Sequence, residues 1–140
     1  MLFKEKINFK LPGGNGFLPH QDAPAFNSFD QTYHITMMVS IDPCNKENGC
    51  LEMVPGHHRQ GILPTAADAT IDPDIAETLS WKLLPSEIGD IVFFDSYIPH
   101  RSGPNRSDQP RRALYVTYNR ASEGSYRENY YRCNRDIFPP

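Results

Sequence analysis

Cysteine is scarce in this chain. Cys44, Cys50 and Cys133 are its only three, an odd number without a CxxC pair, which excludes a disulfide framework and a zinc knuckle and leaves reduced structural thiols as the expectation. Long apolar runs are missing as well. No stretch approaches the roughly eighteen residues that cross a bilayer, and the opening MLFKEKINFK alternates where a signal peptide would carry an unbroken apolar segment. No membrane partner is expected, and the chain reads as soluble and cytoplasmic. Nor is there an excess of positive charge: 14 basic residues against 17 acidic ones give a formal charge of −3. Without a basic stripe to neutralise phosphates, nucleic acid is not an expected partner. The 140 residues leave room for one core of ordinary size and not for two.

Proline and glycine are plentiful, 13 and 9 residues, and they stand as punctuation between short apolar runs. That pattern predicts strands and turns. Lys4 to Lys10 alternates charge with Ile7 and Phe9, as a strand with one wet face does. Phe17 to Ala23 is short and extended. Tyr33 to Asp42 is longer, rich in β-branched and apolar residues, and stopped by Pro43. Cys50 to Val54, Trp81 to Leu84, Ile91 to Phe94, Pro99 to Ser102 and Arg112 to Tyr118 complete eight candidate strands. Between the fourth and fifth, Asp72-Pro73-Asp74 before IAETL is a helix start, with Asp72 as N-cap and Pro73 in the first helical position. The tail reads as partly helical around Tyr126 to Cys133, with Tyr126, Tyr130 and Tyr131 packing on the body. Eight short strands with little helix predict a mainly β fold, an antiparallel double-stranded β-helix of the jelly-roll or cupin kind with one or two short helices.

Three residues can hold a cation. His20 and Asp22 are two positions apart, which on a strand places an imidazole and a carboxylate on one face. His100 follows the apolar strand IVFFD, where a jelly roll returns a later strand beside the second. Two His and one carboxylate on one side of a metal form the facial set of non-haem Fe(II) oxygenases, with the remaining positions open. Arg111, eleven residues after His100, is either one of a solvated basic pair with Arg112 or a buried fork for a carboxylate. His34 reads as a structural histidine.

Four linked segments carry a resemblance: His20-Gln21-Asp22, NGCLEMVPGHHRQG from Asn48, GDIVFFDSYIPHRSGPNRS from Gly89, and Arg111-Arg112-Ala113-Leu114. Over roughly residues 16–120, in order and spacing, they resemble the phytanoyl-CoA dioxygenase family of Fe(II)- and 2-oxoglutarate-dependent oxygenases. The resemblance implies that His20, Asp22 and His100 hold iron and that Arg111 binds the far carboxylate of 2-oxoglutarate. Ser102 matches a position that helps hold this cosubstrate, and Thr36, facing inward if Met38 and Ser40 do, is a further hydrogen-bond candidate. It also implies hydroxylation of a small organic substrate with O2, releasing succinate and CO2, with ascorbate as an auxiliary reductant. Asp22 stands where halogenating relatives carry a small residue, which favours hydroxylation. Within this resemblance His57 and His58 read as turn residues, and Asp95 either orients His100 or forms a turn.

The end of the chain, TYNRASEGSYRENYY through FPP, resembles the branch that oxidises small polar molecules such as 2-aminoethylphosphonate. There is one departure: family members usually carry helices and strands before the HxD motif, whereas 19 residues precede His20 here. The expectation is a single oxygenase core over residues 1–140 that lacks that N-terminal region, with a homodimer covering any sheet left exposed. Two other readings stay open: a catalytically silent cupin-like barrel that binds a metal or small ligand, and a structural or partner-binding domain.

Overall fold

The computed structural model describes residues 1–26, 29 and 31–137, of which 134–137 are described through the backbone alone. Among them the turn punctuation yields the eight strands it predicts: β1 (Leu2–Lys10), β2 (Phe17–His20), β3 (His34–Ser40), β4 (Leu51–Met53), β5 (Lys82–Leu84), β6 (Ile91–Asp95), β7 (His100–Ser102) and β8 (Arg111–Asn119). They form two four-stranded sheets ordered β1-β8-β3-β6 and β2-β7-β4-β5. Every pairing is antiparallel, and the fold is a double-sheet jelly roll.

Helix is confined to short pieces: α1 (Ala23–Phe26), α2 (Pro73–Thr78) and α3 (Arg127–Ile137). The start of α2 follows from its sequence, since the Asp72 side chain accepts from the Asp74 N–H at 2.9 Å and Pro73, which has no N–H to satisfy, opens the first turn. The extended reading of Phe17 to Ala23 holds only as far as His20. The N–H groups of Ala25 and Phe26 both donate to the Asp22 carbonyl, and Pro24 fits the donor-free first turn of α1. Asp22 therefore reaches the interior from the start of a helix, not from a strand.

The faces of β1 also depart from the simplest reading of its alternation. Ile7 and Phe9 are 48% and 64% exposed, while Lys10 is buried and Lys4 and Lys6 line an internal pocket. β1 is the edge of its sheet, and turning charge inward is one way an edge strand resists pairing with another chain. The register with β8 sets Lys4 opposite Thr117, Lys6 opposite Tyr115 and Lys10 opposite Arg111.

The core lies between the sheets, where Met38, Leu51, Met53, Phe94 and Ala113 meet. A second cluster seals one end. Phe3, Phe26, His34 and Tyr130 stack at ring separations of 4.7–5.2 Å, which ties α1 and α3 to β1. Of the tail aromatics, Tyr130 and Tyr131 pack on β1 as expected, and the Tyr131 hydroxyl donates to the Glu5 carbonyl at 3.1 Å while Arg127 pairs with the Glu5 carboxylate. Truncating Phe3, which is fully buried, to Ala removes the centre of this cluster at a cost of about 3–5 kcal/mol. Among the described residues no helix is long and apolar enough to cross a membrane, and the three cysteines are free thiols.

Candidate active site

The middle residue of His20-Gln21-Asp22 fixes its neighbours. Buried Gln21 donates through Nε2 to the carbonyls of Gly61 (2.9 Å) and Tyr97 (2.5 Å), and its Oε1 accepts from the Leu63 N–H (2.8 Å). With every polar atom of that amide engaged, the chain cannot rotate locally without leaving a buried group unpaired. β2 pairs with β7 so that His20 lies opposite His100, and the two rings are 4.2 Å apart. Asp22 enters from the α1 turn. One candidate ligand atom from each of His20, Asp22 and His100 lies within 4.8 Å of the other two.

The tautomers follow from the backbone. Nδ1 of His20 is 2.8 Å from the Leu18 carbonyl, and Nδ1 of His100 is 3.1 Å from the Ile98 carbonyl. A carbonyl can only accept, so each Nδ1 carries the proton and donates it, which leaves both Nε2 lone pairs open toward a cation. Burial pushes the His100 imidazole down to about 4, so this ligand is neutral at ordinary pH. Burial alone would raise the Asp22 carboxyl, but in the acid range where it titrates the charges of His100, Lys4, His20 and Lys6 outweigh burial and hold the group below the ordinary carboxylate range. Two imidazoles and one carboxylate are a donor set that suits Fe(II).

Of the other predicted residues, Thr36 and Ser102 line the same pocket as His20, Asp22 and His100. The inward alternation of Thr36, Met38 and Ser40 is present in β3, and the Thr36 hydroxyl hydrogen-bonds the Thr117 hydroxyl at 2.9 Å. Arg111 is 3% exposed and sits behind the pocket wall. Its Nη2 donates to the Gly49 carbonyl (2.8 Å), its Nε is buried without a hydrogen-bond partner, and the Tyr115 hydroxyl lies beside it. Asp95 is the turn former of its two readings: its Oδ1 accepts from the Tyr97 N–H at 2.9 Å, and Nδ1 of His100 goes to a carbonyl instead. His34 is structural, with Nε2 donating to Gln31 Oε1 at 3.0 Å. His57 and His58 lie on a short 3-10 turn, His57–Gln60, outside the ligand group.

Lys10 escaped the sequence reading. Buried on β1 opposite Arg111, it donates through Nζ to Ser102 Oγ (2.8 Å) and to the carbonyls of Gly49 (3.2 Å) and Gly103 (2.6 Å). Burial, and then the Arg111 charge, push this amine down to about 8. Two cations therefore converge on the Gly49 carbonyl beside Ser102. That approach requires glycine at 49, which has φ +73° and where a Cβ would strike the Gly103 carbonyl oxygen. Asn105, fully buried, clamps the same corner by donating to the Lys10 carbonyl (2.9 Å) and the Gln109 carbonyl (2.7 Å). The signal for Lys10 was present as the i, i+2 series Lys4, Lys6, Asn8, Lys10. No signal marked Asn105, Tyr115 or Thr117, because their roles arise only from the register of distant strands.

This geometry has counterparts. The chain is 54% identical over 140 residues to a 2-aminoethylphosphonate dioxygenase of the uncultured bacterium HF130_AEPn_1, covering 100% of this chain and 53% of that protein. It is 47% identical over 138 residues to a methylphosphonate hydroxylase of Gimesia maris, covering 99% and 52%. The chain thus spans about half the length of the curated relatives it matches. Among solved structures, EvdO2 from Micromonospora carbonacea var. aurantiaca, complexed with 2-oxoglutarate, superposes with a TM-score of 0.68 at 29% identity, covering 82% of this chain and 51% of that one. EctD from S. alaskensis shares the fold, with a TM-score of 0.70 at 21% identity over 88% of this chain and 45% of its own. Residues 1–113 match the model of one family, described as phytanoyl-CoA dioxygenase, and with most of the chain inside that match, the protein belongs to the phytanoyl-CoA dioxygenase family.

Proposed function

We propose that this chain forms the catalytic core of an Fe(II)- and 2-oxoglutarate-dependent dioxygenase that hydroxylates a small organic substrate, of the phosphonate class, with release of succinate and CO2. The observation that carries this reading is the convergence of His20, Asp22 and His100 within 4.8 Å, with both imidazoles locked by backbone carbonyls so that Nε2 faces the common point. Iron, 2-oxoglutarate and O2 supply the oxidising chemistry when bound. His20, Asp22 and His100 would hold the ion, and all three line the pocket in which the cosubstrate and substrate would sit. Arg111, with its unspent Nε, receives the far carboxylate of the cosubstrate, and Lys10 holds Ser102 in place beside it and adds a second positive charge. Thr36 and Thr117, in the same sheet as Arg111 and Lys10, tie up each other's hydroxyls, while Phe94, 5.4 Å from the His100 ring, shields that residue from water.

The phosphonate class rests on the two relatives named for such substrates. The reading includes a single core domain over 1–140, a cytoplasmic setting in keeping with free buried Cys44 and Cys50, and a homodimer covering the apolar outer sheet face. It is tested by incubating the protein with Fe(II), 2-oxoglutarate, O2 and either 2-aminoethylphosphonate or methylphosphonate, and following succinate and hydroxylated product together. One-to-one formation of the two, abolished in His100→Ala, is expected. Neither product forming with either phosphonate would overturn the reading.

A further inference from the structure

The interior carries more positive charge than the cosubstrate needs. Along the inward face of β1 stand Lys4, Lys6 and Lys10, and they divide into two groups by what their ammonium groups do. Lys10 spends its donors on Ser102 and two carbonyls. Lys4 and Lys6 have no hydrogen-bond or ion-pair partner among the described residues, although both line the pocket that holds His20 and Asp22.

Lys4 is half-buried, with Nζ 4.3 Å from the centre of the Phe26 ring and 5.4 Å from that of Tyr130. Lys6 is solvent-exposed but lines the same pocket, with Nζ 5.7 Å from the Tyr115 ring and 5.9 Å from the Phe17 ring. Aromatic faces steady an ammonium group but accept none of its hydrogen bonds in full. Desolvation lowers both amines, and for Lys6 the neighbouring Lys4 charge lowers it further. In the empty fold the Asp22 carboxylate offsets part of both charges; once that carboxylate serves a metal ion, two like charges are left without a counter-ion. The only carboxylate in the pocket lining is Asp22, whose charge is committed to the metal ligand set.

We infer that Lys4 and Lys6 are the seat for the anionic head of the substrate, a tetrahedral phosphonate-class anion. This inference rests on the oxygenase reading above and assigns residues to its substrate. Lys4 and Lys10 are six positions apart on β1, about 20 Å along an extended strand, so a five-carbon diacid anchored at Arg111 does not also occupy Lys4. The second anion is therefore a different molecule. Two ammonium groups with rotatable donors can share the oxygens of a tetrahedral anion, as lysine does in phosphate sites, and the phosphonate class itself comes from the oxygenase reading. The position is also productive, because both lysines line the same pocket as His20, Asp22 and His100, so a head group held there would sit in the compartment onto which those three residues open.

The test uses protein loaded anaerobically with Fe(II) and 2-oxoglutarate. The probes are methylphosphonate and 2-aminoethylphosphonate, followed by 31P line broadening and by perturbation of the visible band of the 2-oxo-acid chelate. Lys4→Met and Lys6→Met keep the aliphatic stem and remove the charge, and Lys4→Arg and Lys6→Arg keep the charge. Each Met variant is expected to weaken phosphonate binding by roughly 10–100-fold, as loss of a charge-assisted hydrogen bond does. The Arg variants recover most of that loss, and the concentration of 2-oxoglutarate that half-saturates the band is unchanged in all four. Phosphonate binding at wild-type strength in both Met variants would overturn the assignment, as would a parallel loss of 2-oxoglutarate affinity, which would make the lysines cosubstrate ligands. If wild-type protein forms no chelate band, the oxygenase reading fails separately. The 31P titration without metal then decides the lysine seat: binding lost in the Met variants supports it, and no binding to wild type overturns it.

Discussion

The two faces of the β1-β8-β3-β6 sheet are built in opposite senses. Its inner face carries Lys4, Lys6, Lys10, Arg111, Thr36 and Thr117 around a small apolar core, and most of these are buried. Its outer face presents Ile7, Phe9, Ile91 and Phe93, exposed by 48–64%, with Met37, Val39, Leu114 and Val116 between them. An ordinary half-solvated sheet does the reverse. The inversion teaches that this interior is arranged around charge that ligands complete, not around maximal apolar burial. The outer face, for its part, is an apolar patch of the kind that another surface covers.

The comparison breaks most severely at the three ligands. Replacing His100 by Ala removes one donor of three, and since loss of an outer-shell partner alone costs about 10–100-fold in metal affinity, a larger loss is expected, together with all hydroxylation. Metal titration by calorimetry checks it. Next comes the buried cation pair. Arg111→Met is expected to weaken 2-oxoglutarate binding by roughly 10–100-fold with metal affinity intact. Because Lys10 sits at about 8, cosubstrate affinity is expected to be highest below that pH and to fall as pH rises through it. Lys10→Arg should move the fall to higher pH, as cosubstrate titrations across pH 7–10 will report.

A third probe is a buried titratable group set among aromatic rings. His34, 1% exposed between Phe3 and Phe26, is pushed by burial from 6.5 down to about 4. The folded protein resists protonating it, so its contribution is fully present above about pH 6.5 and is lost as pH falls toward 4. The loss is on the order of 3 kcal/mol once both values are passed. Denaturant unfolding of metal-free protein from pH 7 to 4 should show a shallower decline in His34→Phe than in wild type. The smallest effect belongs to the outer face. Phe93→Glu should change stability by no more than about 0.5 kcal/mol and leave chelate formation intact, while sedimentation shows a shift toward monomer. Loss of the chelate on that substitution would contradict the separation of the two faces.

Much of this was legible before the fold was known, because periodicity and turn chemistry are local. All eight strands, the Asp72-Pro73 start of α2 and the docking of the tail aromatics follow from neighbours in sequence. The ligand set was legible because two of its members are two residues apart and the third follows a strand end. The faces of β1 were not legible, since alternation specifies that two faces differ and not which is inside. Only pairing with β8 opposite Thr117, Tyr115 and Arg111 decides that. Asp22 was placed on a strand because Pro24 at the first turn of a four-residue helix is a weaker signal than the extended run before it. The contacts of Lys10 with the Gly49 carbonyl and of Asn105 with the Lys10 carbonyl span 39 and 95 positions, and no local pattern encodes them.

The central claim is that one pocket holds iron through His20, Asp22 and His100 and the cosubstrate through Arg111. Its most direct test is anaerobic titration of the metal-free protein with Fe(II) and 2-oxoglutarate, watching for the weak visible band of a bidentate 2-oxo-acid chelate. The account predicts a saturable band in wild type that is absent in His100→Ala and, in Arg111→Met, appears only at much higher 2-oxoglutarate. A wild-type protein that binds Fe(II) and 2-oxoglutarate without forming the band, or a band that survives both substitutions unchanged, would contradict it.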